Sequence, residues 1–344
     1  MKQVGRELGV RYVLEGSLRK ASNRIRVTAQ LVEAESSKHV WAERYDRDLA
    51  DIFAVQDEIT GAVTIAAAPA IADAEQHRAL RKPPGSLDAW GAYQRGLWHL
   101  SKFTAADNTL ARSFFQQAIA LDPNFARGYS GLSQAEWQAL TLQVPGFVEP
   151  VNLVEAEERH ERFARQAVAL DHSDPEARIA LAGVRFRRGD CQGVLAETER
   201  VLAIAPNLAS AHGHRGAALI YLGKPKEGLA SLETFFRLDP RSPSLAPRLH
   251  HAQIGHYFCR DYEASVEAGK RVIWAYPEYS NVYRWLAAAL GQLGRLDEAK
   301  EALERAIAIA PSQFEARVRH RVPWHRPEDH AHMLEGLRKA GWEE

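Results

Sequence analysis

Five segments of this chain stop in the same way. Helix-periodic apolar runs close at Leu121-Asp122-Pro123, Ile204-Ala205-Pro206, Leu238-Asp239-Pro240, Ala275-Tyr276-Pro277 and Ile309-Ala310-Pro311. By subtraction, Pro206 to Pro240 and Pro277 to Pro311 are each 34 residues, and Pro240 to Pro277 is 37. Proline has no N–H with which to continue a helix, so a stop that recurs at a fixed interval sets the size of the folding unit. A unit this short cannot bury its apolar face alone and must stack on its neighbours, which restricts the region to a repeat architecture.

Inside the units a glycine-led turn, Gly189-Asp190, Gly223-Lys224 or Gly294-Arg295, separates two helices, and these turns lie 34 and 71 residues apart. In the last full unit Tyr283, Leu286, Ala287 and Leu290 stripe the first helix, and Ala299, Leu303 and Ala306 the second. These are i, i+3 and i+4 spacings. Small residues, Gly216 or Ala287 on the first helix and Gly228 or Ala299 on the second, let the two backbones approach. In period, turn and small-residue positions the region resembles tetratricopeptide repeats (TPR). The resemblance implies a mainly α fold, a right-handed α-solenoid of about six helix pairs over residues 83–344. First helices are predicted near 88–100, 125–140, 175–188, 209–222, 246–259 and 280–293. Val144 to Pro150 reads as a loop extension. Arg326-Pro327-Glu328-Asp329 starts a terminal helix that Gly341 stops, an atypical element expected to cover the last apolar face of the array.

Residues 1–82 follow a different period. Ile25, Val27, Ala29 and Leu31 alternate with Arg24, Arg26, Thr28 and Gln30, which predicts a half-buried strand. Tyr12, Leu14 and Leu18 give its partner across a Ser22-Asn23 turn, and a third strand is expected from His39 to Tyr45. Ile52, Val55, Ile59 and Val63 stripe a helix that packs on this sheet, with Pro69 expected to interrupt its apolar run. Lys82-Pro83-Pro84-Gly85-Ser86 reads as a linker. The segments Glu7 to Lys20, Val40 to Arg47 and Asp51 to Ile59 resemble the latter half of the TolB-like domain. In bacteria that domain precedes TPR arrays in the regulatory half of class III adenylate/guanylate cyclases and in winged-helix regulators related to CadC. The resemblance extends through the array, because Arg326 to Asp329 and Gly336 to Gly341 look like the usual family ending. It implies a small incomplete α/β module at 1–82 that lacks a preceding strand and helix, and a cyclase or DNA-binding domain further upstream. On this reading Met1 begins inside a domain, and the strand at Tyr12 is an edge open to self-association.

Residues that carry chemistry are sparse. Forty-four Lys plus Arg balance forty-four Asp plus Glu, and residues 1–82 hold thirteen basic against twelve acidic groups, so no basic field marks a nucleic-acid partner. Gly223-Lys224-Pro225-Lys226-Glu227-Gly228 lacks the spacing of a phosphate loop. Gly128-Tyr129-Ser130-Gly131-Leu132 is out of register for a nucleophile elbow. His320, His325, His330 and His332 match no zinc pattern, and Cys191 and Cys259 stand 68 residues apart without a ligand motif. No catalytic residue, metal or cofactor is therefore assigned. Met1 to Glu7 lacks the apolar run of roughly 7–15 residues that an export signal requires, and no apolar run reaches the roughly 18–20 residues that span a bilayer. Two cysteines fit a reducing compartment. A cytoplasmic location is expected, with an extracytoplasmic arm the alternative, because family members can place such arms after a membrane helix.

The concave face of the array is what remains. The TPR register aims Glu176, Ile179, Phe186 and Arg187 inward from one helix, Ser210 and Tyr221 from the next, then His250, Tyr257 and Phe258, then Asn281, Arg284 and Gln292. Aromatic and Arg side chains are the types that anchor interfaces. Arg187 and Arg284 are the cations available for an acidic tail, and no compact clamp is expected. The expected function is a non-catalytic scaffold that binds a protein or peptide partner. The alternative is the regulatory arm of a class III cyclase, or of a winged-helix regulator, whose catalytic or DNA-binding domain lies outside this chain.

Overall fold

The computed structural model describes residues 1–344 except 49–51, 84, 86, 143–152, 241, 243, 278, 321, 323–325 and 344. The chain separates into two compact units, Met1–Pro83 and Pro84–Glu344.

Unit 1 contains α1 (Lys2–Leu8), β1 (Tyr12–Ala21), β2 (Arg24–Glu33), β3 (Lys38–Asp48) and α2 (Ile52–Arg81). The strands pair antiparallel in the order β1-β2-β3. Ala21 pairs with Arg24, leaving Ser22 and Asn23 as a two-residue turn with Ser22 at φ 51°. The predicted alternation holds in β2, where Ile25, Ala29 and Leu31 are buried. Val55 and Val63 of α2 pack with Val27 and Trp41 around Ala29, Tyr45 and Ile59. Contrary to expectation, Pro69 does not interrupt α2, which runs thirty residues through it. Glu75 of α2 accepts from Arg11 (2.5 Å) and from the Tyr12 hydroxyl (2.7 Å), tying the helix to the start of β1. Leu14 and Leu18 stand opposite Leu31 and Val27, on the same face, yet they are 53% and 65% exposed. The helix covers the β2–β3 side of the sheet and leaves Leu14 and Leu18 of β1 in solvent.

Unit 2 is an α-solenoid of six helix pairs. They are α3 (Ala89–Leu100) with α4 (Ala105–Leu121), α5 (Ala126–Leu142) with α6 (Leu153–Leu170), and α7 (Pro175–Arg187) with α8 (Cys191–Ile204). Then come α9 (Ala209–Tyr221) with α10 (Pro225–Leu238), α11 (Leu245–Phe258) with α12 (Tyr262–Ala275), and α13 (Ser280–Gln292) with α14 (Leu296–Ile309). Two single helices follow, α15 (Pro311–Arg319) and α16 (Pro327–Lys339). Local chemistry explains the boundaries. Asp88, Asp174, Asp190 and Asp261 each accept a first-turn backbone N–H that has no partner inside the helix. Pro175, Pro225, Pro311 and Pro327 open helices where no N–H is needed. Gly189, Gly223 and Gly294 take φ of 72–80° at the turn inside a pair, and Arg260 holds the same place in the fifth pair at φ 62°. A Cβ at Gly228 would lie 2.6 Å from the Gly216 carbonyl oxygen, so α9 and α10 touch backbone to backbone, as the small-residue pattern predicts. The Val144 to Pro150 extension lies outside the described residues.

A solenoid whose pairs touch only their neighbours leaves its inner face open. This array curls until its beginning meets its end. Asn281 Nδ2 of α13 donates to the Thr141 carbonyl of α5 (3.1 Å), and Gln134 Nε2 of α5 donates to Ser244 Oγ at the start of α11 (3.1 Å). Phe103, after α3, packs on Tyr276 and Tyr279 with ring centroids 5.4 and 5.7 Å apart. Buried Glu136 joins α4, α5 and α6 by accepting from Arg112 (2.6 Å) and Arg159 (3.0 Å). The terminal helix buries Met333 and Leu337 against the core of the array. It does not stack beyond the last pair; α16 folds back across the carboxy-terminal ends of α11 and α13, where Gly336 meets Ala288 and Tyr257. Tyr257 and Ala288 thus supply the apolar surface that Met333 and Leu337 need.

Candidate functional site: a pocket inside the repeat array

The inner helices of unit 2 converge on one cavity. Phe186 and Arg187 of α7, Tyr221 of α9, His250 of α11, and Asn281 and Arg284 of α13 all line it, so half of the predicted concave residues come together. Glu176, Ile179 and Ser210 line an adjoining cavity, and Trp137 of α5 forms a wall of both. Three predicted contacts are elsewhere. Tyr257 is fully buried under α16 and donates to the His332 carbonyl (2.8 Å). Phe258 packs against the main core. Gln292 accepts from Lys339 of α16 (2.7 Å). The fold-back of α16 therefore covers the carboxy-terminal ends of the inner helices and restricts the pocket to their remaining length.

Arginines dominate the first cavity. Arg284 is 5% exposed, with Nη1 at 3.4 Å from Asn281 Oδ1 and with a buried Nε that has no hydrogen-bond partner. Burial, reinforced by the charge of Arg317, pushes its guanidinium down to about 9. Arg317, from α15, lines the same cavity and is pushed down to about 10 by burial, with Arg187 repelling it. Arg187 is paired at its edge with Glu157 (2.6 Å). The guanidiniums of Arg187, Arg284 and Arg317 thus line one cavity. Burial also pushes the His250 imidazole down to about 3, leaving it neutral, with Nδ1 at 3.0 Å from Gln253 Oε1. The Tyr221 and Tyr279 hydroxyls are pushed well above their ordinary value by burial, so they remain O–H donors.

The adjoining cavity is organised around Arg248, 2% exposed, which sequence reading did not select. His214 donates from Nδ1 to the Ser210 carbonyl (2.9 Å), which leaves Nε2 to accept from Arg248 (3.0 Å). The guanidinium also lies 5.7 Å from the Trp137 ring centroid. Glu176 accepts from Ser210 (3.2 Å), and burial raises its carboxyl. Ser133 Oγ lies 2.8 Å from His160 Nδ1, a spacing that superficially suits a nucleophile and base. The imidazole nevertheless faces the Ser133 carbonyl (2.9 Å), the hydroxyl donates to the His160 carbonyl (3.1 Å), and burial pushes the ring down to about 4. A ring this weakly basic does not take a serine proton near neutral pH. Among the described residues no group of three or more His, Cys, Asp or Glu side chains could hold a metal ion. His330 and His332 on α16 are separately engaged, with the Arg317 carbonyl and the Tyr262 hydroxyl.

Comparison with known proteins agrees with the fold. The tetratricopeptide repeat family model matches residues 280–313, which are the α13–α14 pair. Over 184 residues the chain is 38% identical to a protein of Rhizobium meliloti (strain 1021) named "Putative adenylate cyclase 3". That match covers 53% of this chain and 30% of the relative, so the chain spans less than a third of the relative's length. Among solved structures, the APC/C hetero-tetramer Cut9-Hcn1 superposes with a TM-score of 0.51 at 12% identity, covering 80% of this chain and 48% of that one. A monomeric mutant of IFIT1 with Gppp-AAAA gives 0.50 at 13% identity, covering 75% and 59%. At such identities the likeness is one of fold.

Proposed function

We propose that this chain is a non-catalytic recognition module in which unit 2 receives a protein or peptide partner on its concave face, through Phe186, Arg187, Tyr221 and Arg284. The observation that carries this reading is the convergence of aromatic and Arg side chains, the types that anchor interfaces, on one cavity inside a repeat array. The experiment is crosslinking in the host with a photoreactive residue placed singly at Ser210, in the array's interior, or at Trp274 on the outer helix α12. A defined adduct from Ser210 that disappears in the Arg187→Ala variant supports the reading. Equal yields from Ser210 and Trp274 would overturn it.

The 38% identical relative favours a second, compatible reading: the chain acts as the regulatory arm of a class III adenylate/guanylate cyclase, with unit 1 a TolB-like module between the array and the catalytic domain. An antibody against residues 280–344 tests it. A host protein far larger than 38.4 kDa that cyclises a nucleoside triphosphate supports this reading, and a band at 38.4 kDa contradicts it. A cytoplasmic location is part of the first reading; among the described residues no helix is long and apolar enough to cross a membrane.

A further inference from the structure

Arg248 enters the second cavity of unit 2 without a carboxylate to answer its charge. The side chain is 2% exposed, and a Cβ at Gly213 would lie 2.8 Å from its Nε, so α9 gives up a side chain to seat it. Burial pushes the guanidinium down to about 10, which still leaves it a cation near neutral pH. Among the described residues no Asp or Glu pairs with it. Its polar neighbours are two imidazoles, His214 Nε2 at 3.0 Å from Nη2 and His251 Nδ1 at 3.4 Å from Nη1. Burial holds the His214 ring well below its ordinary value, so that ring stays neutral. A guanidinium carries five N–H donors and each ring nitrogen accepts one hydrogen bond, so three donors are left over. The Trp137 ring, 5.7 Å away, offers only the weak field of a π face. Burying a charge and its donors in this way is costly, and a ligand that supplies a counter-charge and acceptors removes the cost.

The cavity itself narrows the ligand. Its volume is about 50 Å³, room for roughly three to five water-sized spheres at about 10–15 Å³ each. Trp137, Ile179 and Ala180 give it an apolar wall, and among the described residues Glu176 is the one carboxylate on its lining. Glu176 accepts from Ser210 (3.2 Å), lies in the field of Arg127 and forms no ion pair with Arg248. Opposite charges therefore share the lining without meeting. One guanidinium calls for one negative charge, and the carboxylate of Glu176 disfavours a second. A carboxylate is the compact monoanion whose two oxygens accept guanidinium N–H groups in pairs.

We infer that this cavity is a binding site for a small monocarboxylate of about two to three carbons, its oxygens on the Nη groups of Arg248 and its carbon chain against Trp137 and Ile179. The acid is a free one, because the volume that takes it leaves no room for the residues of a peptide. The site is formed within unit 2 and does not depend on the partner reading above.

The test uses the full chain purified in chloride buffer. It is titrated calorimetrically with propionate, propionamide, inorganic phosphate and N-acetyl-triglycine at constant ionic strength. Saturable uptake of one propionate per chain is expected, at least tenfold tighter than each of the other three. Arg248→Gln weakens it tenfold or more, while Arg19→Gln on exposed β1 leaves it unchanged. Circular dichroism verifies folding, and if Arg248→Gln does not fold, Ala180→Leu decides the question: it fills the cavity from half-buried α7, retains Arg248 and should abolish uptake. Absence of a saturable response to propionate overturns the inference, as does equal binding of propionamide or a response that survives these cavity variants. Tighter binding of the peptide than of propionate also overturns it, since the acid would then be the end of a chain.

Discussion

Unit 1 and unit 2 each carry an apolar surface wider than one covering element, and they treat the surplus differently. In unit 1 a single helix, α2, covers Val27, Ala29 and Tyr45, and Leu14 and Leu18 on β1 stay in solvent. In unit 2 the array turns back on itself, so that α5 meets α13 and α16 lies over α11 and α13, and large side chains such as Trp285 and Tyr257 become fully buried. The difference is one of supply. On the Val27 face of the meander only α2 packs against the core cluster, whereas each repeat presents the next with a matching stripe, and enough repeats return the last stripe to the first. Closure has a consequence that an open sheet edge does not: it takes polar groups out of water along with the apolar ones. That is why Arg284, Arg248, His160 and His250 are buried in unit 2.

Breaking the closure has the largest expected effect. Phe103→Ala removes the ring that packs on Tyr276 and Tyr279, and a buried Phe truncation costs about 3 kcal/mol. Urea unfolding should show that loss in unit 2, and X-ray scattering should show a larger radius of gyration as the array loosens. An unchanged radius would mean that the α5–α13 contact follows from stacking and not from Phe103.

Acid is the next probe. Burial pushes His160 to about 4 and His250 to about 3, against an ordinary value near 6.5. Between pH 6.5 and these values the unfolded chain binds a proton that the folded chain refuses, so stability falls as pH falls through that window. By pH 5 each histidine contributes a loss of about 2 kcal/mol. His39 and His77 of unit 1 are exposed. His160→Gln should flatten the acid slope of unit 2 in thermal melts and leave unit 1 unaffected.

The sequence predicted the pairs well because their signals are local. Proline at a helix start, Asp at a cap and glycine at φ near 80° act within a few residues, and each leaves a letter at a fixed offset. Arg317 escaped because it lies on α15, beyond the last full repeat, where the register no longer assigns an inner face. The contacts of Asn281 with Thr141 and of Gln134 with Ser244 join residues 140 and 110 apart, and they depend on the summed rotation of every pair between them. No single offset carries that sum. For the same reason Tyr257 and Gln292 read as groove residues: the period places them inward, and only the return of α16 covers them.

Two smaller effects sharpen the comparison. Arg260→Gly gives the fifth pair the residue that Gly189, Gly223 and Gly294 provide at their positive-φ turns. It should raise the unfolding free energy of unit 2, read from urea titration, by about 0.5 to 1 kcal/mol. In unit 1 Leu14→Lys together with Leu18→Lys should change stability by less than about 0.5 kcal/mol, since both side chains are already in water. Sedimentation at rising concentration should show any self-association through β1 abolished in that double variant.

The central claim is that unit 2 has closed on itself and buried Arg284 in a cavity where its Nε has no hydrogen-bond partner. Thermal melts of Arg284→Met test it most directly. The account predicts that the variant melts above the parent protein, by roughly 1 kcal/mol or more, because an uncompensated buried charge has become an apolar side chain of similar reach. A variant that melts below the parent would contradict it.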